Sequence, residues 1–503
     1  NVKTSSVDKD ATAAVLKYAD FSHYADYFNG MEDENIAQAI PNAKASEWME
    51  ENIPLFECPQ RNFEEMYYYR WWSLRKHIKE TPVGYGMTEF LVQRSYSDKY
   101  NLIACAIGHH IYESRWLRDP KYLDQIIHTW YRGNDGGPMN KMNKFSSWNA
   151  DAVLARYMVD ADKDFMLDMK ENLEAEYQRW ECTNRLQNGL YWQGDVQDGM
   201  EESISGGRKK KYARPTINSY MYGNAKALSL MGILSDDEEM AMRYGMRADT
   251  LKRLVQDKLW NSRHQFFETM RADSSANVRE AIGYIPWYFN LPDTVKQYEV
   301  AWKEIMDENG FSAPYGLTTA ERRHPEFRTH GVGKCEWDGA IWPFASAQTL
   351  TAMANFMNNY PQTVLSDSVY FRQMELYVES QYHRGRPYIG EYLDEVTGYW
   401  LKGDQERSRY YNHSTFNDLM ITGLIGLRPR LDNTIEVNPL IPADKWDWFC
   451  LDNVLYHGHN LTILWDKNGD RYHCGKGLRI FVDGKEVGHS DTLTRIVCAN
   501  VLE

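Results

Sequence analysis

From about residue 62 the chain carries apolar side chains at intervals of three and four. Phe63, Met66, Tyr67, Trp71, Leu74 and Ile78 follow that spacing, and so do Tyr244, Ala248, Leu251, Val255 and Leu259. A period near 3.6 marks a helix with one buried face. The same reading along the chain predicts helices at 62–79, 98–117, 120–132, 148–159, 163–183, 215–231, 236–259, 277–289, 293–308, 337–358, 361–382 and 413–426. The connections are of two kinds. Arg118-Asp119, Asp160-Ala161-Asp162, Asn290-Leu291-Pro292 and Asn359-Tyr360 are tight, whereas 80–97, 133–147, 184–214, 260–276, 309–336 and 383–412 are long. Short and long alternate. In a closed ring of antiparallel helices, alternate connections emerge at opposite ends, so the long ones share one face. The predicted fold is therefore mainly α, an (α/α)6 barrel of six helical hairpins. Long loops gathered on one face of a rigid scaffold usually carry function.

After about residue 428 the period changes. Leu461-Thr462-Ile463-Leu464-Trp465 and Arg479-Ile480-Phe481-Val482 read as strands, and Asn468-Gly469 and Asp483-Gly484 as hairpin turns. Three parts are expected: an N-terminal arm packed on the barrel at 1–60, the catalytic barrel at 61–428 and a small C-terminal antiparallel β-domain at 429–503. Trp446, Trp448 and Phe449 follow the second junction, so the β-domain is expected to pack on the barrel rather than float.

Composition narrows the function. A net charge of −14 disfavours nucleic acid and anionic membranes as partners. No apolar run is long enough for a membrane span. The seven cysteines are scattered with no C-x-x-C pair, so neither a zinc site nor a disulfide scaffold is read, and no cofactor is expected. The chain starts at Asn1 without Met, which fits a removed signal peptide and a periplasmic or secreted location. The excess is aromatic: 17 Trp, 34 Tyr and 18 Phe, many in polar, Gly-rich stretches. Aromatic faces beside acidic groups suit sugars, which offer C–H patches for stacking and hydroxyls for hydrogen bonds. An oligosaccharide or glycan is the expected partner.

The chemistry falls in the long loops. Loop 184–214 contains Tyr191-Trp192-Gln193-Gly194-Asp195-Val196-Gln197-Asp198-Gly199-Met200-Glu201-Glu202-Ser203. This run reads as a solvated acidic loop, as a set of calcium ligands, or as a carboxylic acid held beside an aromatic wall so that it can donate a proton. Loop 383–412 contains Gly390-Glu391-Tyr392-Leu393-Asp394-Glu395-Val396-Thr397-Gly398-Tyr399-Trp400. Loop 309–336 leads into Trp337-Asp338-Gly339-Ala340-Ile341-Trp342-Pro343, and loop 133–147 into Trp148-Asn149. On a common face these give two opposed carboxylates within a ring of Trp and Tyr, the constellation that glycoside hydrolysis uses. A core role competes for each Trp. The nucleophile elbow, the Walker loop and G-x-G-x-x-G are absent. His109-His110 reads as structural and Lys209-Lys210-Lys211 as a solvated loop.

At these residues the chain resembles the six-hairpin (α/α)6 glycosidases, the group of trehalases, family 63 α-glucosidases and mannosylglycerate-hydrolase-like proteins. Asp198-Gly199-Met200-Glu201-Glu202-Ser203 is similar to their acid motif, Ser-Gly-(Trp/Met)-Asp-x-Ser, but has Glu where they have Asp. The resemblance thus implies Glu201 as general acid, with Asp198 as competitor. Gly390 to Gly398 is similar to their base motif and implies Glu391. Trp337 to Pro343 looks like their substrate motif. A bacterial family described as β-L-arabinofuranosidases of pectin side chains shares the general fold. The implied activity is an exo-acting, inverting glycoside hydrolase. Loop position adds Trp148, Trp192, Trp337, Trp342 and Trp400 as walls of the terminal-sugar subsite, with Arg214, Asp338 and Tyr392 as polar contacts. A phosphorylase of a related barrel and a non-catalytic sugar-binding protein are the alternatives.

Overall fold

The computed structural model of the protein describes residues 15–503, so residues 1–14 of the expected arm lie outside it. Two helices, α1 (Ser22–Asn29) and α2 (Ala45–Asn52), precede the barrel. The barrel then runs α3 (Arg61–Lys76), α4 (Ile107–Ser114), α5 (Lys121–Arg132), α6 (Asn149–Asp160), α7 (Lys163–Asp168) and α8 (Lys170–Asn184). It continues through α9 (Pro215–Leu234), α10 (Glu238–Leu254), α11 (Ile285–Tyr288), α12 (Lys296–Glu299), α13 (Pro343–Asn359) and α14 (Asp367–Ser380). A last turn, Leu419–Leu424, is π-helical. Helices α4, α6, α9, α11, α13 and the last turn form the inner ring, and the others wrap it. Inner α9 is buried on every side from Pro215 to Ala225, as a helix enclosed by neighbours must be. The ring closes where Glu113 of α4 accepts the backbone N–H groups of Phe416, Asn417 and Asp418 at 2.9, 3.1 and 2.7 Å. A carboxylate there satisfies donors that the start of a helical turn leaves free.

Several expected helices are cut short, each for a local reason. The stretch at 98–117 is helical only from Ile107, because Tyr100 and Asn101 both take the left-handed conformation at φ 63°. The stretch at 277–289 keeps one turn of 3-10 helix, Ala281–Tyr284, and one α-turn opening on Pro286. Helix α13 starts at Pro343 rather than 337, since Gly339 sits at φ +153° and proline is best placed in a first turn. The last turn stops at Leu424, two residues before Gly426, whose φ of +90° leads the chain away.

The C-terminal sheet recruits a strand from the arm. Strand β1 (Leu55–Glu57) pairs antiparallel with β2 (Trp448–Tyr456), and β3 (His459–Asp466), β4 (Gly477–Val482) and β5 (Lys485–Ser490) follow in order. Asp483 and Gly484, at φ 50° and 80°, make the β4–β5 turn. Trp446 is buried against Phe63 of α3 and Phe371 of α14, with ring centroids 5.2 and 5.5 Å away, so an aromatic cluster joins sheet to barrel.

The long loops lie at the N-terminal ends of the inner helices and hold one another. Asn412 N–H donates to the Glu89 carbonyl at 2.6 Å, and Ser146 N–H to the Gln197 carbonyl at 2.9 Å. Ala213 bridges Met270, Glu280 bridges Ala320, and Ile341 bridges Leu393. Segments far apart in sequence are thereby fixed around one mouth.

Candidate active site

Glu201 stands in a tight reversal between two left-handed residues, Gly199 at φ 73° and Glu202 at φ 66°. A non-glycine residue in that conformation costs about 1–3 kcal/mol and persists where the surroundings enforce it. Cβ growth at Gly199 would meet the Cys105 side chain at 3.3 Å, so glycine serves both conformation and contact. Glu391 follows Gly390, where a Cβ would strike the rings of Tyr388 and Trp400 at 2.7 and 2.8 Å. The Ile341–Leu393 bridge then sets Glu391 beside the start of α13.

Glu201 and Glu391 line one cavity of about 420 Å³. Its walls include Glu89, Tyr96, Lys144, Phe145, Trp342, Phe344, Tyr411 and His413, with Arg208 and Arg407 among its cations. The two carboxyls differ in surroundings. Glu201 makes no ion pair among the described residues; burial, then the charge of Glu391, pushes its pKa up to about 7. Glu391 is buried with the Lys402 ammonium 3.4 Å from Oε1. His413 Nε2 lies 3.1 Å from the Glu391 carbonyl, and burial pushes that imidazole down to about 3, so it is neutral. An acid that keeps its proton near neutrality beside a carboxylate paired with a cation can run acid–base chemistry.

The other sequence candidates fall around this cavity rather than in it, Trp342 excepted. Asp198 is buried, with Oδ2 taking Arg214 Nε at 2.7 Å and Thr216 Oγ1 at 2.6 Å and Oδ1 taking the Ser146 hydroxyl. With both oxygens occupied and an ion pair to Arg214, it braces its own loop; Arg214 also donates through Nη1 to the Ser205 hydroxyl at 3.2 Å, and its Nη2 has no protein partner among the described residues. Trp148 is a core side chain among His109, Tyr220 and Tyr288, its indole N–H donating to the Tyr288 hydroxyl at 3.1 Å. Trp400 is likewise buried, donating to the Ser380 and Tyr382 carbonyls at 3.1 Å. Asp338 accepts the backbone N–H groups of His330 and Gly331 and shapes its own loop. Trp337, Trp342 and Tyr392 form a stack with centroids 4.7 and 4.6 Å apart, of which only Trp342 reaches the cavity. Trp192 is half-buried under the Lys211 ammonium, 4.9 Å from its ring. Among the described residues no three His, Cys, Asp or Glu side chains gather to hold a metal ion.

The sequence reading missed Glu89, Tyr411, Arg407 and Lys144. None lies in a recognisable motif, and only the crossing of loops 80–97, 133–147 and 383–412 brings them together.

Comparison with known proteins agrees with this architecture. Residues 99–414 match the mannosylglycerate hydrolase MGH1-like glycoside hydrolase domain, and residues 427–489 match the C-terminal domain of glycosyl hydrolase family 65. A solved chain named sialidase is 92% identical with a TM-score of 0.98, covering 98% of this chain and 46% of its own; the present chain thus spans about half the length of that relative. The family 63 mannosylglycerate hydrolase of Thermus thermophilus in complex with Tris shares the fold at 11% identity and TM-score 0.54, over 71% of this chain and all of that one. The family 78 rhamnosidase of Bacillus sp. GL1 shares it at 11% and 0.59, over 85% of this chain and 41% of that one. The helical barrel, its β-domain and the matched residues together make this chain a member of the mannosylglycerate hydrolase MGH1-like glycoside hydrolase family.

Proposed function

We propose that the chain is an exo-acting glycoside hydrolase that inverts the anomeric centre, with Glu201 as general acid and Glu391 as general base. Glu201 protonates the departing glycosidic oxygen. Glu391 takes a proton from a water that attacks the anomeric carbon from the opposite face. Trp342 supplies the aromatic wall of the terminal-sugar subsite, and the stacked Trp337 and Tyr392 hold it in place. Asp198 and Arg214 position the acid loop rather than touch substrate.

The observation that carries the reading is the pairing of unlike carboxyls in one cavity: Glu201 desolvated and pushed up to about 7, Glu391 beside Lys402. The experiment is hydrolysis of a panel of defined oligosaccharides, sialosides among them, read by released monosaccharide and by proton NMR of the first product anomer. Inversion and a single terminal sugar are expected. A retained anomer would make Glu391 a nucleophile, and internal cleavage would exclude exo action.

One feature favours a second reading. Lys144, Arg208 and Arg407 line the cavity, and cations suit a phosphate co-substrate. Against phosphorolysis, a carboxylate at Glu391 would repel phosphate where it must attack. Sugar release that requires inorganic phosphate would reverse the preference.

A further inference from the structure

We propose that Glu89 is a third carboxyl of the terminal-sugar subsite, hydrogen-bonding a ring hydroxyl of the substrate; this rests on the hydrolase reading of the same cavity. Glu89 lies in loop 80–97 and faces the cavity that Glu201 and Glu391 line. Its backbone is pinned. The carbonyl takes Asn412 N–H at 2.6 Å, and Asn412 Nδ2 donates to the neighbouring Thr88 carbonyl at 3.0 Å. Its side chain is almost free of structural duties. Oε1 accepts the Cys105 thiol, a weak donor, at 3.1 Å, the Tyr411 hydroxyl stands within its reach as a second donor, and no Lys, Arg or His pairs with it among the described residues.

A carboxyl so placed is costly to the fold. A buried acid with no cation beside it, held only by a thiol and a phenol, recovers little of the hydration it loses, and an apolar side chain of similar size would cost less. The groups facing it are Glu201 from loop 184–214, Glu391 and Tyr411 from the segment that closes the barrel, and Cys105 ahead of α4. Burial first, then the charges of Glu391 and Glu201, push Glu89 up to about 8, so it is protonated at neutral pH. A neutral carboxylic acid donates through one oxygen and accepts through the other, which matches a sugar hydroxyl. It also adds no further negative charge beside Glu391.

The experiment uses the full chain with Glu89→Gln and Glu89→Ala. It reads kcat and KM separately on the glycoside found in the panel. It also reads calorimetric binding of the released sugar or, where none is released, of D-glucose, D-mannose and L-rhamnose. Glu89→Ala is expected to weaken binding and lower kcat/KM by about 10- to 100-fold, since it strands a buried hydroxyl. Glu89→Gln, which still donates and accepts, should stay within about threefold at pH 6 and should lose less than wild type at pH 9, where Glu89 ionises. Unchanged binding and turnover in Glu89→Ala would overturn the proposal and leave the hydrolase reading standing. A Glu89→Gln as damaged as Glu89→Ala, with an activated glycoside spared, would also overturn it by making Glu89 the proton donor. Wild type that binds sugar without turnover, together with weaker binding in Glu89→Ala, would sink the hydrolase reading and uphold Glu89. Neither binding nor turnover in wild type would overturn both.

Discussion

The two ends of the barrel are both hollow, and the larger hollow lies away from the candidate carboxyl pair. At the C-terminal ends of the inner helices a cavity of about 870 Å³ is lined by Tyr112, Arg115, Asp151, Lys226, Tyr288, Asp418 and Arg428. The cavity at the N-terminal ends is half that size. The contrast is in compensation. In the wide cavity Arg115 pairs with Asp418 at 2.8 Å and Arg430 pairs with Asp432 and Glu436 at 2.8 and 2.9 Å, while Asp151, pushed up to about 6 by burial and without an ion pair among the described residues, takes the Tyr112 hydroxyl at 2.6 Å and faces the positive charges of Arg115 and Lys226. In the narrow one Glu89 and Glu201 have no cationic partner among the described residues, and their charges oppose each other. Acids that lose water beside other acids are unfavourable for the fold, so they mark a candidate site better than volume does.

The largest test of that contrast is kinetic. Glu201→Gln should lower hydrolysis of a natural glycoside by about 10²–10⁴-fold while sparing a dinitrophenyl glycoside, and Glu391→Gln should harm both alike. Asp151→Asn, at the wide end, should stay within about threefold of wild type. Steady-state kinetics on both substrates checks this, and an Asp151→Asn as damaged as Glu201→Gln would erase the distinction between the ends.

Stability should show the reverse pattern. Asp418 accepts from Arg115 and from the Trp116 indole N–H at 2.8 Å, so Asp418→Ala strands a buried guanidinium. A loss of about 3–5 kcal/mol is expected by denaturant unfolding, whereas Glu201→Gln should not destabilise. Equal losses at the two ends would mean that the candidate carboxyls are structural.

A smaller effect sharpens the acid. If Glu201 is the proposed general acid it must be protonated to act, so the alkaline limb of the kcat/KM profile should fall above an apparent pKa of about 7, while the acid limb belongs to the base. Glu391→Gln removes a neighbouring charge and should lower the Glu201 value, which carbon-13 NMR of labelled glutamate would read.

The smallest effect concerns Glu89. Its folded pKa of about 8 lies above the ordinary value of 4.5, so the stability it allows is complete below 4.5 and lost as pH rises through 8. Glu89→Gln should therefore unfold at a higher temperature than wild type at pH 9 and at the same temperature at pH 4. A calorimetric scan showing no gain at pH 9 would contradict the unpaired state of this acid.

Much of the scaffold is legible in the sequence, because burial of one helix face imposes a period and the alternation of loop lengths records which end a connection leaves from. Helices α3, α5, α6, α9 and α14 are readable nearly in full. The turns at Ile285–Tyr288 and Leu419–Leu424 are shorter than their sequence suggests, since their apolar runs are buried all round and carry no contrast between faces. The aromatic candidates fare worst. Trp148 and Trp400 stand beside acidic loops in sequence, yet each turns its ring inward.

The sequence by itself determined the helical ring, the end that carries the long loops and the two motifs that contain Glu201 and Glu391. Residue type and spacing suffice for these, because they follow from which side chains avoid water and how far apart they recur. Only the tertiary structure decided that Asp198 is spent on Arg214, Ser146 and Thr216, that Trp337 and Tyr392 support Trp342, and that Glu89 joins the pair from a loop without a motif. The reason is physical: a carboxyl's behaviour depends on the water it loses and the charges it meets, and both are set by segments hundreds of residues away.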